Sequence, residues 1–208
     1  MVNHGIFISI SCYNGKKSGG HQVHILFWVL IGLWVVMDFY ILIFYKNRKD
    51  KLAIERRSKY VMVILISAGM LSGPFLVEGS REAFQEPFWW LRQIGLVIIL
   101  AGIIVRIIAI RQLGENFSRD VDVHQDKNLY QQGLYRFVRH PSYLGEVMIF
   151  LGVAIVYHHW LASLLAFVLP TLAFVYRIQV EEKMLLSFFP VAYADYMKKT
   201  KKLVPFIY

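Results

Sequence analysis

Two short runs hold the residue types that could do chemistry. The first is Gly133-Leu134-Tyr135-Arg136-Phe137-Val138-Arg139-His140-Pro141-Ser142-Tyr143, which sets two arginines, a histidine and two tyrosines side by side. The second is Arg177-Ile178-Gln179-Val180-Glu181-Glu182. Arg177 and Glu181 are four apart and share one face of a helix. Two carboxylates and an arginine just beyond a long apolar run suit a cationic cofactor held beside an anionic substrate. Each run also has a plainer reading. The first fits an interfacial anchor, with Arg136 and Arg139 on lipid phosphates and the tyrosines among the headgroups. The second fits a surface ion pair contributing about 0.3–0.5 kcal/mol, although arginine before glutamate is the less favourable order. No metal-ligand spacing occurs, and the single Cys12 excludes an intrachain disulfide.

The elements that must position these runs are membrane helices. Of 208 residues, 57% are apolar and 18% charged, against about 25% charged in a soluble domain. One bilayer crossing needs about 20 mostly apolar residues, and five stretches approach that length: 25–45, 60–77, 91–110, 143–157 and 160–176. The expected fold is therefore all-α and polytopic, with about five transmembrane helices, the last two a tight hairpin turning at His158 and His159. A cytoplasmic C-terminal helical segment follows. Three parts are expected: a non-cytoplasmic tail, 1–24; three transmembrane helices, 25–110, with a basic cytoplasmic loop at 46–59; and a region for chemistry, 111–208, containing the hairpin 143–176 and a cytoplasmic tail.

Charge gives the orientation. Residues 46–59, 111–139 and 177–202 hold 18 of the 23 Lys and Arg, and with five crossings all three fall on one side. That is the positive-inside bias, which makes the side cytoplasmic; the expected location is the plasma (inner) membrane, with the site facing the cytoplasm. The formal net charge of +9 then reads as topology and contact with anionic membrane lipid, with no nucleic-acid face. Trp89, Trp90 and Trp160 gather at the outer interface. Residues 1–24 lack the pattern of a cleaved signal peptide, and the terminal Pro-Phe-Ile-Tyr carries no prenylation signal. No obligate protein partner is evident.

Both chemical runs lie on the cytoplasmic face. Gly114 and Asn116-Phe117-Ser118 end the third helix, and Pro141 suits the first turn of the fourth. The N–H groups and positive dipole of that fourth-helix start then point toward the site, favouring an anionic group. A helix from Arg177 to about Phe189 is broken by Pro190, and a shorter one follows over 191–199. Within the membrane, Arg106 is expected to snorkel to the cytoplasmic interface, and Asp38 to pair with a neighbouring helix. Glu146 is a pocket residue or a structural partner, and the residues alone leave both open.

Taken together the motifs resemble the isoprenylcysteine carboxyl methyltransferase and phospholipid methyltransferase superfamily, in a bacterial or archaeal-type integral membrane form. The matching residues are Asn116-Phe117, Gly133 with Tyr135, Arg139-His140-Pro141-x-Tyr143, Arg177 with Glu181-Glu182, Phe189, Tyr193, Tyr196 and Leu203-Val204-Pro205. They cover about residues 111–208. The resemblance implies S-adenosyl-L-methionine as methyl donor and S-adenosyl-L-homocysteine as product. It implies a donor pocket of Lys127, Asn128, Leu129, Tyr130, Tyr135, His140, Pro141, Ser142, Tyr143, Glu181 and Glu182. Arg177 and Glu181 would act in catalysis, with Arg177 and Glu146 toward the acceptor, a lipophilic small molecule or lipid. The favoured acceptor group is a carboxylate, as in isoprenylcysteine O-methylation, and no metal is implied. A phospholipid headgroup amine and an NADPH-dependent reduction like that of sterol reductases stand as alternatives, as does a non-catalytic membrane protein. The shorter loop before Lys127 and the small helix number differ from the animal isoprenylcysteine enzymes.

Overall fold

The structure, a computed structural model, describes residues 23–41, 53–77, 89–114, 129–157 and 159–203. It contains helices α1 (Val23–Ile41), α2 (Ala53–Val77), α3 (Trp89–Leu113), α4 (Pro141–Tyr157), α5 (Trp160–Phe188) and α6 (Pro190–Lys199). A 3-10 turn, Gly133–Arg136, precedes α4. Among the described residues the one β feature is an isolated parallel bridge, Val138 to Lys201. The tail before residue 23, residues 46–52 of the expected basic loop, Asn116-Phe117-Ser118, Lys127, Asn128, His158 and Val204-Pro205 lie outside the described residues. The rest of that loop, 53–59, is the first part of α2.

The chain is an integral membrane protein built from apolar helices. Among the described residues four helices, α1, α2, α3 and α5, are long and apolar enough to cross a bilayer. The fifth expected crossing, α4, is a shorter apolar helix of 17 residues, which rises about 25 Å against a hydrocarbon core of about 30 Å. At 29 residues α5 rises about 43 Å, so one end must project beyond the hydrocarbon. The sequence places that crossing at 160–176, yet the helix runs unbroken through Arg177, Glu181 and Glu182 to Phe188. The same helix that spans the membrane thus presents the polar run at the boundary, with no hinge between.

Each helix start and stop has a local cause. Gly114, at φ 51, follows the last residue of α3 in the left-handed conformation usual just past a helix end. Pro141 opens α4 and Pro190 opens α6, where the missing N–H removes no intrahelical bond. His159 caps α5, its Nδ1 accepting from the Ala162 N–H at 3.2 Å. This gives one of the hairpin histidines a structural role.

α3 and α4 lie antiparallel with backbones in close approach. A Cβ added at Gly102 would stand 2.6 Å from the Gly145 carbonyl oxygen, and one at Gly145 would stand 2.7 Å from that of Gly102. Small residues at such a crossing let membrane helices pack by dispersion, the force left once water is absent. Ile99, Ile103, Ile149, Phe150 and Val153 fill the seam and are almost fully buried. α1 covers it through Phe27, Leu30, Ile31 and Trp34, with the Trp34 and Phe150 rings edge to face at 5.5 Å. α2 packs antiparallel to α5, the Ser72 hydroxyl reaching the Ala162 carbonyl at 3.3 Å. The outward faces stay apolar: Val36, Ile64, Phe75, Val97 and Leu172 are all more than half exposed. In a bilayer those faces meet lipid.

Candidate active site

Both chemical runs meet where α3 ends, α4 begins and α5 projects. The approach to α4 is fixed first. Gly133 takes φ 60, and a Cβ there would collide with the Gln112 side chain. That side chain instead accepts a bond from the Leu134 N–H at 2.8 Å, tying the turn to the end of α3. Tyr135 is buried, its hydroxyl donating to the Ala109 carbonyl at 3.4 Å and its own carbonyl accepting from the Tyr196 hydroxyl at 2.5 Å. Tyr130 stands edge to face on the Tyr135 ring at 5.6 Å, and Leu129 is half-buried. Next the chain pairs with the segment after α6. The Arg139 N–H donates to the Lys201 carbonyl at 2.8 Å and the His140 N–H to the Lys202 carbonyl at 3.0 Å. These backbone bonds fix the histidine immediately before Pro141 turns the chain into α4.

Glu182 is the hub of the first side-chain cluster. Its carboxylate is buried, a costly state unless the charge is paired and bonded. Arg139 Nε donates to Oε1 at 2.8 Å, and Lys202 Nζ lies 3.3 Å from Oε2. Arg139 also donates to the carbonyls of Met197 and Thr200, so one guanidinium joins α5, α6 and the segment beyond. His140 Nε2 lies 3.4 Å from Glu182 Oε1, within ion-pair reach, but that oxygen is already taken by Arg139 and no described residue meets this nitrogen with good hydrogen-bond geometry. The Tyr193 hydroxyl is in the same condition, buried and without a partner among the described residues. Buried polar groups are usually satisfied, so two orphans around one carboxylate pair mark a place where a ligand's polar groups fit. Burial pushes the phenols of Tyr135, Tyr193 and Tyr196 upward, helped at Tyr193 by the charge of Glu182 and at Tyr135 by that of Glu181. All three therefore keep their protons at neutral pH, and Tyr135 and Tyr196 donate theirs to backbone carbonyls.

A second cluster surrounds Tyr143. Its hydroxyl donates to Glu181 Oε2 at 2.9 Å, and the Arg177 charge acts on it electrostatically. The ring lies 5.8 Å from that of His140 and 5.7 Å from that of Phe174. Arg177 is buried at 2% exposure, and its Nη1 donates to the Ser58 hydroxyl on α2 at 2.7 Å. Ser58 has no sequence signal of its own, because only the packing of α2 on α5 brings it there.

A third cluster lies deeper. Arg106 donates from Nε and Nη2 to Asp38 Oδ1 at 3.1 and 2.8 Å. Its Nη1 is 2.7 Å from Glu146 Oε1 and donates to the Ser142 hydroxyl at 3.2 Å. The Trp34 indole N–H donates to Glu146 Oε2 at 3.2 Å. The expected snorkelling of Arg106 does not occur: the residue is 8% exposed, because carboxylates on α1 and α4 offer a closer partner than the interface does. The expected pairing of Asp38 with a neighbouring helix is found. Glu146 is a structural partner here, on the helix that carries Ser142 and Tyr143.

The arrangement therefore gathers Tyr130, Tyr135, His140, Pro141, Ser142, Tyr143, Arg177, Glu181 and Glu182 at one end of the helix group. Lys127 and Asn128 lie outside the described residues. Sequence reasoning left Arg139 and Tyr193 out of the site although both stand in its motifs, and it missed Lys202 and Ser58.

Three comparisons bear on what such a site does. Residues 94–187 match the Isoprenylcysteine carboxyl methyltransferase (ICMT) family. Protein-S-isoprenylcysteine O-methyltransferase A of Arabidopsis thaliana is 31% identical over 121 residues, 57% of this chain and 61% of that one. Protein-S-isoprenylcysteine O-methyltransferase of Tribolium castaneum is 36% identical over 135 residues, 64% of this chain and 48% of the relative. The chain thus spans less than two thirds of the length of these two curated relatives. The structure of the eukaryotic intramembrane Ras methyltransferase ICMT is similar in fold, with TM-score 0.66 and 24% identity over 91% of this chain and 68% of that one.

Proposed function

We propose, on the premise that the chain belongs to the isoprenylcysteine carboxyl methyltransferase family, that it is an S-adenosyl-L-methionine-dependent O-methyltransferase of the membrane. Its acceptor is a lipophilic carboxylate, of which the prenylated cysteine in its relatives' names is the leading example. The observation that carries the reading is the pair of orphaned buried groups, His140 Nε2 and the Tyr193 hydroxyl, beside Glu181 and Glu182. A zwitterionic, sulfonium-bearing donor offers cations for carboxylates and acceptors for a tyrosine hydroxyl. The residues present fit such a group.

The donor supplies a methyl group on a positively charged sulfur, open to in-line attack. In this reading Tyr135, His140, Pro141, Ser142, Tyr143, Glu181 and Glu182 hold it with Leu129 and Tyr130; the resemblance adds Lys127 and Asn128, which lie outside the described residues. Arg177 holds the acceptor carboxylate by a charge-assisted bond, whereas Glu146, expected toward the acceptor, is taken up by Arg106 and Trp34. A carboxylate is already ionised at neutral pH, so the residues have no proton to remove. Their work is alignment, which can contribute about 7–11 kcal/mol in favourable intramolecular reactions. The donor enters from the aqueous side and the prenyl chain from the lipid, so a site at the projecting end of α5 serves both. The basic residues at that end support a site facing the cytoplasm.

Calorimetry of S-adenosyl-L-methionine and S-adenosyl-L-homocysteine with detergent-purified protein tests the donor. Micromolar binding is expected in the wild type and its loss in both His140→Ala and Glu181→Ala. A folded wild type that binds neither ligand contradicts the reading.

A further inference from the structure

Asp38 lies on α1, which holds no residue of either chemical run, yet it determines how Arg106 is turned. A guanidinium is planar, and its N–H groups form a rigid fork. Asp38 Oδ1 takes both Nε and Nη2, at 3.1 and 2.8 Å. With that edge of the fork occupied, Nη1 is left pointing at α4, where it meets Glu146 Oε1 at 2.7 Å and the Ser142 hydroxyl at 3.2 Å. Ser142 is the second residue of α4, directly between His140-Pro141 and Tyr143. The other oxygen of Glu146 is held by the Trp34 indole N–H, so α1 grips the same pair a second time, one helical turn away. Charged groups inside a membrane are costly, and where they persist they are paired and commonly functional. Five side chains on three helices here converge on the first turn of α4 instead of on lipid or water.

We infer that Asp38 is a positioning residue: acting through Arg106, it sets Ser142 and the first turn of α4 for the methyl donor. The inference rests on the donor reading given above. It assigns to α1 a part in the site that no motif on α1 signals, and it makes Trp34 the second arm of the same grip. Removing the Asp38 carboxylate frees the guanidinium to rotate about its own bonds and releases the Ser142 hydroxyl, while every group placed against the donor remains.

The test is a double-mutant cycle on the full chain in detergent, reading the dissociation constant of S-adenosyl-L-homocysteine by calorimetry. Asp38→Asn is expected to weaken binding about 5–10-fold, within the range of coupling seen for residues in one network. In the Ser142→Ala background the same change is expected to cost less than about twofold, because the route from Asp38 to the ligand is already cut. Equal losses in the two backgrounds, or no loss in either, overturn the inference. Trp34→Phe removes one hydrogen bond and keeps the ring, so it serves where Asp38→Asn does not fold. Its smaller loss must show the same dependence on Ser142, and independence overturns the inference as well. A wild type that fails to bind the ligand defeats the donor reading itself, an outcome distinct from binding with additive losses.

Discussion

Tyr193 has a hydroxyl that is buried, protonated and unpartnered among the described residues. Leaving such a group unsatisfied costs a folded protein about 1–3 kcal/mol. If the hydroxyl waits for a ligand, Tyr193→Phe has two effects of opposite sign. Without ligand the variant should be more stable than wild type by about 1 kcal/mol, seen as a higher midpoint of thermal unfolding in detergent. Donor binding should fall about tenfold or more, as expected for a lost bond to a charged group. Higher stability with unchanged affinity would make Tyr193 a packing residue only. At this scale the sequence was legible in its local runs. Arg139-His140-Pro141-x-Tyr143 and Glu181-Glu182 could be read because their spacing is short and their chemistry unusual beside apolar helices. The partners Ser58 of Arg177 and Asp38 of Arg106 lie 119 and 68 residues away, and nothing in a linear pattern selects them. The reading of Arg106 as a snorkelling arginine missed for that reason: depth in the membrane is local information, but the carboxylates that neutralise it come from other helices.

Helices were legible as apolar runs, and their starts were marked by Pro141 and Pro190. Their lengths were less so. The crossing at 160–176 and the helix from Arg177 to about Phe189 read as two segments. Yet Gln, Glu, Lys, Met and Leu are good helix formers and Arg139, Lys202 and Tyr143 donate to its carboxylates, so they form one helix to Phe188. The α3–α4 crossing was invisible in advance, since an apolar pattern shows a helix's composition and not which glycine faces which. It gives a sharp contrast between two glycines. Gly145→Ala drives a methyl into the Gly102 carbonyl at 2.7 Å and the Arg106 backbone nitrogen at 2.9 Å, and overpacking of that kind costs about 1–3 kcal/mol. Gly32→Ala on α1 meets nothing within 4 Å and should be neutral or stabilising by up to about 1 kcal/mol. Thermal unfolding of the two variants beside wild type checks the pair. Equal effects would mean that α3 and α4 do not cross at these glycines.

For the whole molecule, all three polar clusters gather at one end of the bundle, where α5 projects and α6 packs. Tyr193 and Tyr196 of α6 turn inward while Val191 and Lys198 stay exposed. The charge bias read from the sequence predicts that this end faces the cytoplasm. With Cys12 changed to serine, since it is the chain's one cysteine, Lys198→Cys should react with a membrane-impermeant maleimide in inside-out vesicles and stay protected in right-side-out ones. The reverse pattern would place the site on the opposite face.

The most direct test of the proposed chemistry is methyl transfer itself. Purified protein is given methyl-labelled S-adenosyl-L-methionine and an S-farnesylated cysteine with a blocked amine and a free carboxyl. Label should enter the prenylcysteine as an ester that mild base releases as methanol. Arg177→Ala should lose that transfer while keeping donor binding. Donor binding with no label on the carboxylate, or label that base does not release, would contradict carboxyl methylation as the function of this chain.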